Sequence, residues 1–285
     1  MSNFKILAFL TSQIILALII FPLVINLARR GGHLRVNFRG EMIPSSAGIG
    51  FVLLFLIEKL ITTTILPSGE QNIFAYIILI LVIGFGFLGL MDDFFAKREK
   101  GGITGHLREL TRQGTVSTAL FKAFFALVLC TIVFKSIMKN EGLLPVLVVS
   151  MSANSMNLLD VKPGRALKGF WLVFIFLAVF WQSSWNLPPM FLFTTFASFF
   201  VWTIVYALWD FRCRAMMGDV GSNVLGMILG LMVIWGFPSY MHVAALIFLI
   251  ILHLIGEFYS ISKIIEKFSF LRWLDNLGIK IEHKS

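Results

Sequence analysis

The sequence predicts an all-α polytopic membrane protein, a bundle of about nine transmembrane helices with a tenth left open. Its 285 residues are 58% apolar and only 14% charged, whereas soluble domains carry about 25% charged residues. The mean hydropathy is +0.88. Apolar stretches long enough to cross a hydrocarbon layer of about 30 Å as helices recur along the chain.

Nine apolar stretches carry this prediction. The first runs directly into Arg29 and Arg30 without a small-residue cleavage site, so we expect it to remain a membrane helix. The third ends at Asp92, the fifth ends in a polar Asn-rich stretch, and the eighth begins just after Asp219. The predicted spans are residues 4–28, 47–66, 73–91, 117–138, 143–159, 169–185, 190–209, 222–237 and 241–256.

The distribution of cations predicts the orientation of the bundle. Of the 24 Lys and Arg residues, 19 follow an odd-numbered span, and the positive-inside rule makes those segments cytoplasmic. They are Arg29, Arg30, Arg35, Arg39, Lys97, Arg98, Lys100, Arg108, Arg112, Lys162, Arg165, Lys168, Arg212, Arg214, Lys263, Lys267, Arg272, Lys280 and Lys284. We therefore expect the N-terminus outside and the C-terminus inside. The net charge of +9 then anchors the topology and attracts anionic membrane lipids, with no need for nucleic acid as a partner.

Two regions differ in composition. Residues 1–256 form the predicted transmembrane domain, and residues 257–285 form a polar cytoplasmic tail. Within the tail, apolar residues alternate with Lys263, Lys267 and Arg272 in the amphipathic pattern of a helix at a membrane surface.

Four aspartates, Asp92, Asp93, Asp160 and Asp219, lie at or near predicted span ends on the cytoplasmic side. Two adjacent carboxylates repel each other at a membrane boundary, which indicates a positive charge between them. Convergence of these span ends would create an oxygen-rich site for a divalent cation. The alternative is local: Asp92 caps the following loop and Asp93 pairs with a basic neighbour.

The fifth span ends with Asn154, Asn157 and Asp160, spaced so that a helix places them along one slowly rotating stripe. Amides in a membrane span need partners, which are either a polar ligand or a neighbouring helix. The basic turn that follows, with Lys162 and Arg165, suits phosphate oxygens.

The stretch that opens the eighth span places Asp219 and Ser222 at the start of a helix. Either residue serves as an ordinary N-cap. A helix N-terminus bounded by glycines also favours an anionic ligand or a metal-bound phosphate.

Three motifs, LGLMDDFFAK, NSMNLLD and GDVGSNVLG, occur in this order on alternate loops. Together they resemble the signature of the polyprenyl-phosphate N-acetylhexosamine-1-phosphate transferases, the MraY-like, WecA-like and TagO-like superfamily of glycosyltransferase family 4. The resemblance covers residues from about 30 to about 235. The stretch IPSSAGIGF also resembles the family's Pro-Thr-Met-Gly-Gly loop, with Pro44 and Gly48 matching and Ala47 replacing the first glycine.

The resemblance implies transfer of a sugar 1-phosphate from a UDP-sugar to undecaprenyl phosphate, yielding a polyprenyl-diphosphate sugar and UMP for cell-envelope polymer synthesis. It implies that residues 1–256 are the catalytic domain of an enzyme of the bacterial cytoplasmic membrane whose active site faces the cytoplasm. It further implies dependence on Mg²⁺, with Mn²⁺ as an alternative, and leaves a homodimer open. Several negative phosphates must approach one another in such a reaction, so cations must screen them.

Motif matching makes Asp219 the principal Mg²⁺ ligand. Asp92 and Asp93 become further ligands or the base that deprotonates the lipid phosphate, so all three are expected to be catalytic. Lys122, about one turn into the fourth span, resembles the family's phosphate-binding lysine. The expected substrate-binding residues are Asn154, Asn157, Asp160, Lys122, Lys162, Arg165 and Ser222.

Two departures from the family keep a second function open. Relatives continue the Asn-rich motif with Gly-x-x-Asp-Gly, whereas this chain reads Val161, Lys162, Pro163. Relatives also carry a His-rich loop before the last helix, which is missing here. The alternative is therefore a non-catalytic relative that binds lipid phosphate or a partner protein.

Overall fold

The structure is a computed structural model that describes residues 3–65, 71–95, 117–137, 142–182 and 189–279. Nine long helices succeed one another along this described part of the chain, and each overlaps one predicted span. They are α1 (Asn3–Arg30), α2 (Ile49–Ile65), α3 (Gln71–Phe95), α4 (Thr118–Ile137), α5 (Leu143–Leu159), α6 (Arg165–Val179), α7 (Pro189–Asp210), α8 (Gly218–Gly236) and α9 (Ser239–Phe258).

Several of these helices match a bilayer in length and composition. Within the described ranges, 6 helices are long and apolar enough to span a membrane, namely α1, α3, α4, α7, α8 and α9, and the shorter α5 is also apolar. This confirms a helical polytopic membrane protein. The count of nine crossings and the orientation remain predictions. Eight cations fall outside the described residues: Lys97, Arg98, Lys100, Arg108, Arg112, Lys139, Lys280 and Lys284.

The buried centre of the bundle is α8. Its residues from Val220 to Gly236 are buried with the single exception of Val233. The helix packs most extensively against α5 and then against α3. Small residues allow this proximity, since a Cβ added at Gly226 would lie 2.2 Å from the main-chain oxygen of Ser152 on α5. Close backbone approach through glycine is the usual way in which membrane helices associate.

The expectation of a purely helical chain misses a small β-hairpin between α1 and α2. Strands β1 (Leu34–Val36) and β2 (Met42–Pro44) pair antiparallel. The hairpin is tied to the segment before α8, because Met216 N donates to Pro44 O over 2.8 Å and Ala47 N donates to Met216 O over 3.0 Å. Three-residue strands are too short to leave a periodic signal in the sequence.

The predicted tail contains two short helices, α10 (Ile261–Lys267) and α11 (Ser269–Asn276). Helix α9 continues to Phe258, two residues beyond the predicted boundary at residue 256. The tail folds back onto the bundle, where Arg165, the first residue of α6, binds Asp275 of α11. The division into two domains stays a prediction.

A buried ion pair, Glu58 and Lys59, lies in the second half of α2. Lys59 Nζ lies 3.1 Å from Glu58 Oε1 and donates to Thr195 Oγ1 on α7 over 3.3 Å. The same ammonium lies 4.8 Å from the ring centroid of Phe55, a cation–π distance. These contacts join α2 to α7.

Candidate functional site

A single ammonium group joins two of the predicted aspartates. Lys122, in the second turn of α4, places Nζ 3.1 Å from Asp92 Oδ2 at the end of α3. The same Nζ lies 2.6 Å from Asp219 Oδ2 at the start of α8. Lys122 is buried, and charged groups removed from water interact strongly. The structure therefore brings the predicted phosphate-binding lysine and two predicted metal ligands to one point, which we call the Lys122 cluster.

Asn157 and Ser222 fix the orientation of Asp219. Asn157 Nδ2 donates to Asp219 Oδ2 over 2.9 Å. The hydroxyl of Ser222, one turn into α8, donates to Asn157 Oδ1. Because the amide oxygen meets Ser222 and the amide nitrogen meets Asp219, both ends of the carboxamide are used. Asn157 thus belongs to the Lys122 cluster together with Asp92 and Asp219.

Asp93 occupies a different environment from its neighbour Asp92. Its side chain is 1% exposed, and both carboxylate oxygens accept hydrogen bonds from the protein. Oδ1 accepts from the main-chain N–H of Asp219 over 3.2 Å, and Oδ2 accepts from Ser46 Oγ over 2.6 Å. Asp93 therefore anchors the first turn of α8.

Gly218 makes this contact possible in two ways. Its φ of +71° lies in the left-handed region that favours glycine. A Cβ at this position would also lie 2.4 Å from Asp93 Oδ2. A side chain at residue 218 would therefore displace the Asp93 carboxylate from the start of α8.

Arg35 holds Asp93 directly and His33 supports it through Ser46, and no sequence pattern assigned either residue to the site. The Arg35 guanidinium donates to the main-chain oxygen of Asp93, and its Nη1 lies 3.9 Å from Asp93 Oδ1. His33 Nε2 lies 2.9 Å from Ser46 Oγ. Because the Ser46 hydroxyl donates to Asp93, an N–H of the His33 ring must donate to Ser46. Arg35 and His33 both lie shortly before the IPSSAGIGF stretch, and this position could have indicated a role at the site. Arg35 was instead used only to predict the orientation in the membrane.

Asn154, one turn before Asn157, points to another helix. Its Nδ2 lies 3.0 Å from His253 Nε2 on α9. His253 Nδ1 lies 2.8 Å from the main-chain oxygen of Leu249, so Nδ1 carries the proton and Nε2 accepts from Asn154. The sequence left two partners open for these amides, a polar ligand or a neighbouring helix. The partner of Asn154 is the neighbouring helix α9, so Asn154 does not belong to the Lys122 cluster.

Asp160 lies just beyond the end of α5, near the other carboxylates. Burial raises the pKa of its carboxyl well above the ordinary value, and the charges of Asp210, Asp219 and Asp93 raise it further. A hydrogen bond from the main chain of Gly218 acts in the opposite direction. Asp160 therefore adds a further carboxyl group, favoured in its neutral form, to the same end of the bundle.

Lys162 and Arg165 are not brought to the Lys122 cluster. Arg165 binds Asp275 with two nitrogens, Nε to Oδ1 over 2.8 Å and Nη2 to Oδ2 over 3.0 Å. Lys162 Nζ donates to Asp275 Oδ2 over 2.9 Å. The turn that the sequence suggested for phosphate therefore binds a carboxylate of the C-terminal tail.

The residues of the Lys122 cluster can be tested against the magnesium ion that the motifs imply. Among the described residues, no group of three or more His, Cys, Asp and Glu side chains is arranged to hold a metal ion. Mg²⁺, however, is usually bound by one or two carboxylates together with substrate phosphates and water. Asp92 and Asp219, whose oxygens already converge on one positive charge, match that donor set, whereas Asp93 has both oxygens engaged elsewhere.

Comparison with known proteins agrees with the motifs. The profile of the family described as "Glycosyl transferase family 4" matches residues 75–237. The match contains the Lys122 cluster and Ser222. A phospho-N-acetylmuramoyl-pentapeptide-transferase of Oleidesulfovibrio alaskensis is 25% identical over 199 residues, which cover 62% of this chain and 56% of that relative. The alignment thus spans little more than half of the relative's length.

Proposed function

The chain belongs to glycosyl transferase family 4, and from this premise we propose that it transfers a sugar 1-phosphate from a UDP-sugar to undecaprenyl phosphate. The sugar is of the N-acetylhexosamine type, and the products are a polyprenyl-diphosphate sugar and UMP. The observation that carries the proposal is the Lys122 cluster, in which α3, α4, α5 and α8 each contribute a polar group. The similarity to a phospho-N-acetylmuramoyl-pentapeptide-transferase supports the same class of reaction.

The reaction exchanges one phosphorus–oxygen bond for another. The bond between the two phosphoryl groups of the UDP-sugar breaks, UMP leaves with that oxygen, and the sugar phosphate gains a bond to an oxygen of the lipid phosphate. Catalysis of such transfers is mainly positioning and electrostatic stabilisation. The protein must therefore hold two anionic substrates together at a water-poor boundary.

Each residue of the Lys122 cluster, and the neighbouring Ser222 and Asp93, has a role in this reaction. Asp92 and Asp219 would hold Mg²⁺, or Mn²⁺ in its place, and the bound ion would screen the phosphate charges. Lys122 would turn from the carboxylates to a phosphate oxygen. Asn157 and Ser222 keep Asp219 in position. Asp93 acts as a positioning residue through the start of α8.

The remaining predicted substrate contacts divide into two groups. Asp160 is proposed to line the donor side, because it lies just beyond the end of α5 near the carboxylates of the cluster, whereas Asn154 joins α5 to α9 through His253. Substrate phosphate is not assigned to Lys162 and Arg165, because both already bind Asp275.

The setting of the reaction follows from the charges. Most of the Lys and Arg in the described residues lie in segments at the same end of the bundle as the Lys122 cluster, so the positive-inside rule directs the site to the cytoplasm of a bacterium, where UDP-sugars occur. The enzyme would serve cell-envelope polymer synthesis in the cytoplasmic membrane.

A direct assay tests the proposal. Purified protein in lipid nanodiscs with undecaprenyl phosphate and Mg²⁺ is given UDP-N-acetylglucosamine, UDP-N-acetylgalactosamine or UDP-N-acetylmuramoyl-pentapeptide in turn, and UMP is measured. We expect UMP from one donor, its loss in Asp219→Asn, and its retention in Lys135→Met, which changes an exposed cation farther along α4. Absence of UMP with every donor would refute the proposal.

A non-catalytic relative is the second candidate. It is favoured by one observation, namely that Asp275 binds Lys162 and Arg165, the cations that follow the altered donor motif. In this case the protein would bind undecaprenyl phosphate, measured by native mass spectrometry, but would release no UMP from any donor.

A further inference from the structure

The C-terminal helix α11 is held to the bundle by a set of ion pairs that we call the latch. It consists of Asp275 on α11 and of Lys162, Arg165 and Lys168 at the start of α6. Besides the bonds to the Asp275 carboxylate, Lys168 Nζ donates to the main-chain oxygens of Leu274 and Asp275 over 3.0 and 2.6 Å. Lysine at these last carbonyls caps the helix. Asp275 and Arg165 are each only 6% exposed, whereas Lys162 and Lys168 at the edge of the latch are half-buried.

The latch fixes which way the rest of α11 faces. Each helical residue advances by about 100°, so Phe270 and Trp273 fall on the side opposite Asp275, and Leu277 follows directly after the helix. Their exposed fractions are 68%, 58% and 49%. The rings of Phe270 and Trp273 stack with centroids 6.0 Å apart. The structure thus presents an ordered apolar face, which we call the aromatic face, away from the bundle.

We propose that the aromatic face binds the surface of the membrane in which the protein lies, and that anionic lipid headgroups are its partner. The inference rests on membership of the membrane class and not on the proposed transfer activity. An isolated helix of eight residues is marginal in water, so its apolar face needs a partner besides the latch. Tryptophan favours the level of the lipid headgroups, where an apolar ring meets water.

The charge beside this face selects anionic lipid. Lys263, Lys267 and Arg272 are exposed on α10 and α11, whereas Asp275 is buried in the latch and Glu266 is the one exposed acidic side chain in the described part of the two helices. Each cation near an anionic membrane surface adds to the attraction.

The position of the tail agrees with this partner. Only Tyr259 and Ser260 separate the membrane helix α9 from α10. Tyr259 is itself exposed, as is Phe258 at the end of α9. The latch then holds α11 beside the first turn of α6, another apolar helix. The two short helices therefore begin where the membrane helix ends.

Accessibility of spin labels tests the proposal. Phe270→Cys, Trp273→Cys and the control Glu266→Cys are labelled in full-length protein and placed in nanodiscs with phosphatidylglycerol. The native Cys130 and Cys213 are both buried, so the unsubstituted chain measures background labelling. We expect oxygen, which dissolves in lipid, to reach labels 270 and 273, and a water-soluble nickel chelate to reach label 266 severalfold better than either.

Two variants separate the parts of the proposal. Lys267→Gln with Arg272→Gln should increase nickel access to label 270 in phosphatidylglycerol but not in phosphatidylcholine. Asp275→Asn should increase it in both lipids, with circular dichroism confirming that the bundle remains folded. If Asp275→Asn does not fold, Lys168→Gln takes its place.

Three results would overturn the proposal. The first is nickel access at 270 and 273 equal to that at 266. The second is protection from both reagents together with dipolar broadening, which would identify a second copy of the chain as the partner. The third is nickel access to label 270 in phosphatidylglycerol that Lys267→Gln with Arg272→Gln leaves unchanged.

Discussion

Lys122 lies where two carboxylates of distant segments meet, and its charge keeps them together. We predict that Lys122→Met lowers UMP release about 10²–10³-fold, the loss typical of removing one group that stabilises transition-state charge. UMP release by purified protein checks this value. Lys135→Met is the matched control, because it removes an exposed cation from the same helix. Equal activity of the two variants would contradict a role of Lys122 at phosphate.

Replacing Asp93 by Asn should affect UMP release much less than replacing Asp219 by Asn. Asn at residue 93 can still accept from the main-chain N–H of Asp219, because one side-chain oxygen remains. We therefore predict a loss of about tenfold or less in Asp93→Asn, with an unchanged pH profile, but a loss of about 10³-fold in Asp219→Asn, whose carboxylate is the proposed metal ligand. Steady-state UMP release at several pH values measures both. Equal, severe losses would restore Asp93 as a base.

The sequence identified Asp92, Asn157 and Asp219 because each lies near a span end and within a recognisable motif, and it identified Lys122 by its resemblance to a lysine of the family early in the fourth span. It did not identify Arg35, Ser46 or Asp275 as partners of site residues. A hydrogen bond from Ser46 to Asp93 or from Arg165 to Asp275 joins residues far apart in the chain, and neither periodicity nor spacing encodes such a pair. Lys162 and Arg165 matched a phosphate-binding pattern, and that pattern also fits a carboxylate of the same chain.

At the scale of elements, the contact between α5 and α8 positions Asn157 against Asp219. A Cβ at Gly226 would lie 2.2 Å from Ser152 O and 2.7 Å from Ala153 Cα, both backbone atoms. We predict that Gly226→Ala destabilises the protein by about 1–3 kcal/mol, as overpacking does, and lowers UMP release because the helices separate. Thermal unfolding in detergent and the UMP assay measure these effects.

Gly142→Ala is the control for Gly226→Ala, since a Cβ at Gly142 would meet nothing within 4 Å. It should leave both the unfolding midpoint and UMP release unchanged. If the two variants behaved alike, helix separation would not be the cause.

The latch gives α11 a defined dependence on pH. Burial acts to raise the pKa of Asp275, but hydrogen bonds and charges from Arg165 and Lys162 outweigh it and lower the pKa below the ordinary value. The contribution to stability is therefore complete above about pH 4, the unfolded value of Asp, and is lost as the pH falls through the lower folded value.

We accordingly predict that a spin label at Ser269→Cys stays immobile from neutral pH down to about pH 5 and becomes mobile only below about pH 4. The same label in Asp275→Asn should be mobile at every pH, because the carboxylate is missing. If the label became mobile between pH 6 and 7 in the protein with Asp275 in place, Asp275 would not be the group that holds α11.

The helices could be predicted from the sequence better than the segments between them. A long apolar stretch can satisfy its backbone groups in a membrane only as a helix, so each of the nine long helices in the described part of the chain overlaps a predicted span. The start of α6 was placed at residue 169, whereas the helix begins at Arg165 after Gly164 with φ +74°. The charges of Arg165 and Lys168 suggested a loop, whereas in the structure both residues are helical and bind Asp275 and the main chain of the tail.

At the scale of the whole molecule, the polar contacts come from alternating helix ends. Ser46 precedes α2, Asp92 and Asp93 end α3, Lys122 begins α4, Asn157 ends α5, and Asp219 begins α8. Successive helices must therefore run in opposite directions for these groups to meet. Such an arrangement is expected when each helix crosses the same membrane. Within the described ranges, it places the cation-bearing segments after α1, α5 and α7 at the end that bears the Lys122 cluster.

The orientation of this arrangement yields the last prediction. Lys5 near the start of α1 and Arg212 after α7 are both exposed and lie on opposite predicted sides. In sealed inside-out membrane vesicles, a membrane-impermeant maleimide should react with Arg212→Cys and not with Lys5→Cys, and in intact spheroplasts the pattern should reverse. The unsubstituted chain, whose Cys213 is buried, corrects for background. Because cations favour the cytoplasmic side during insertion, the opposite labelling would place the Lys122 cluster outside the cell, away from every UDP-sugar, and would refute the proposed reaction.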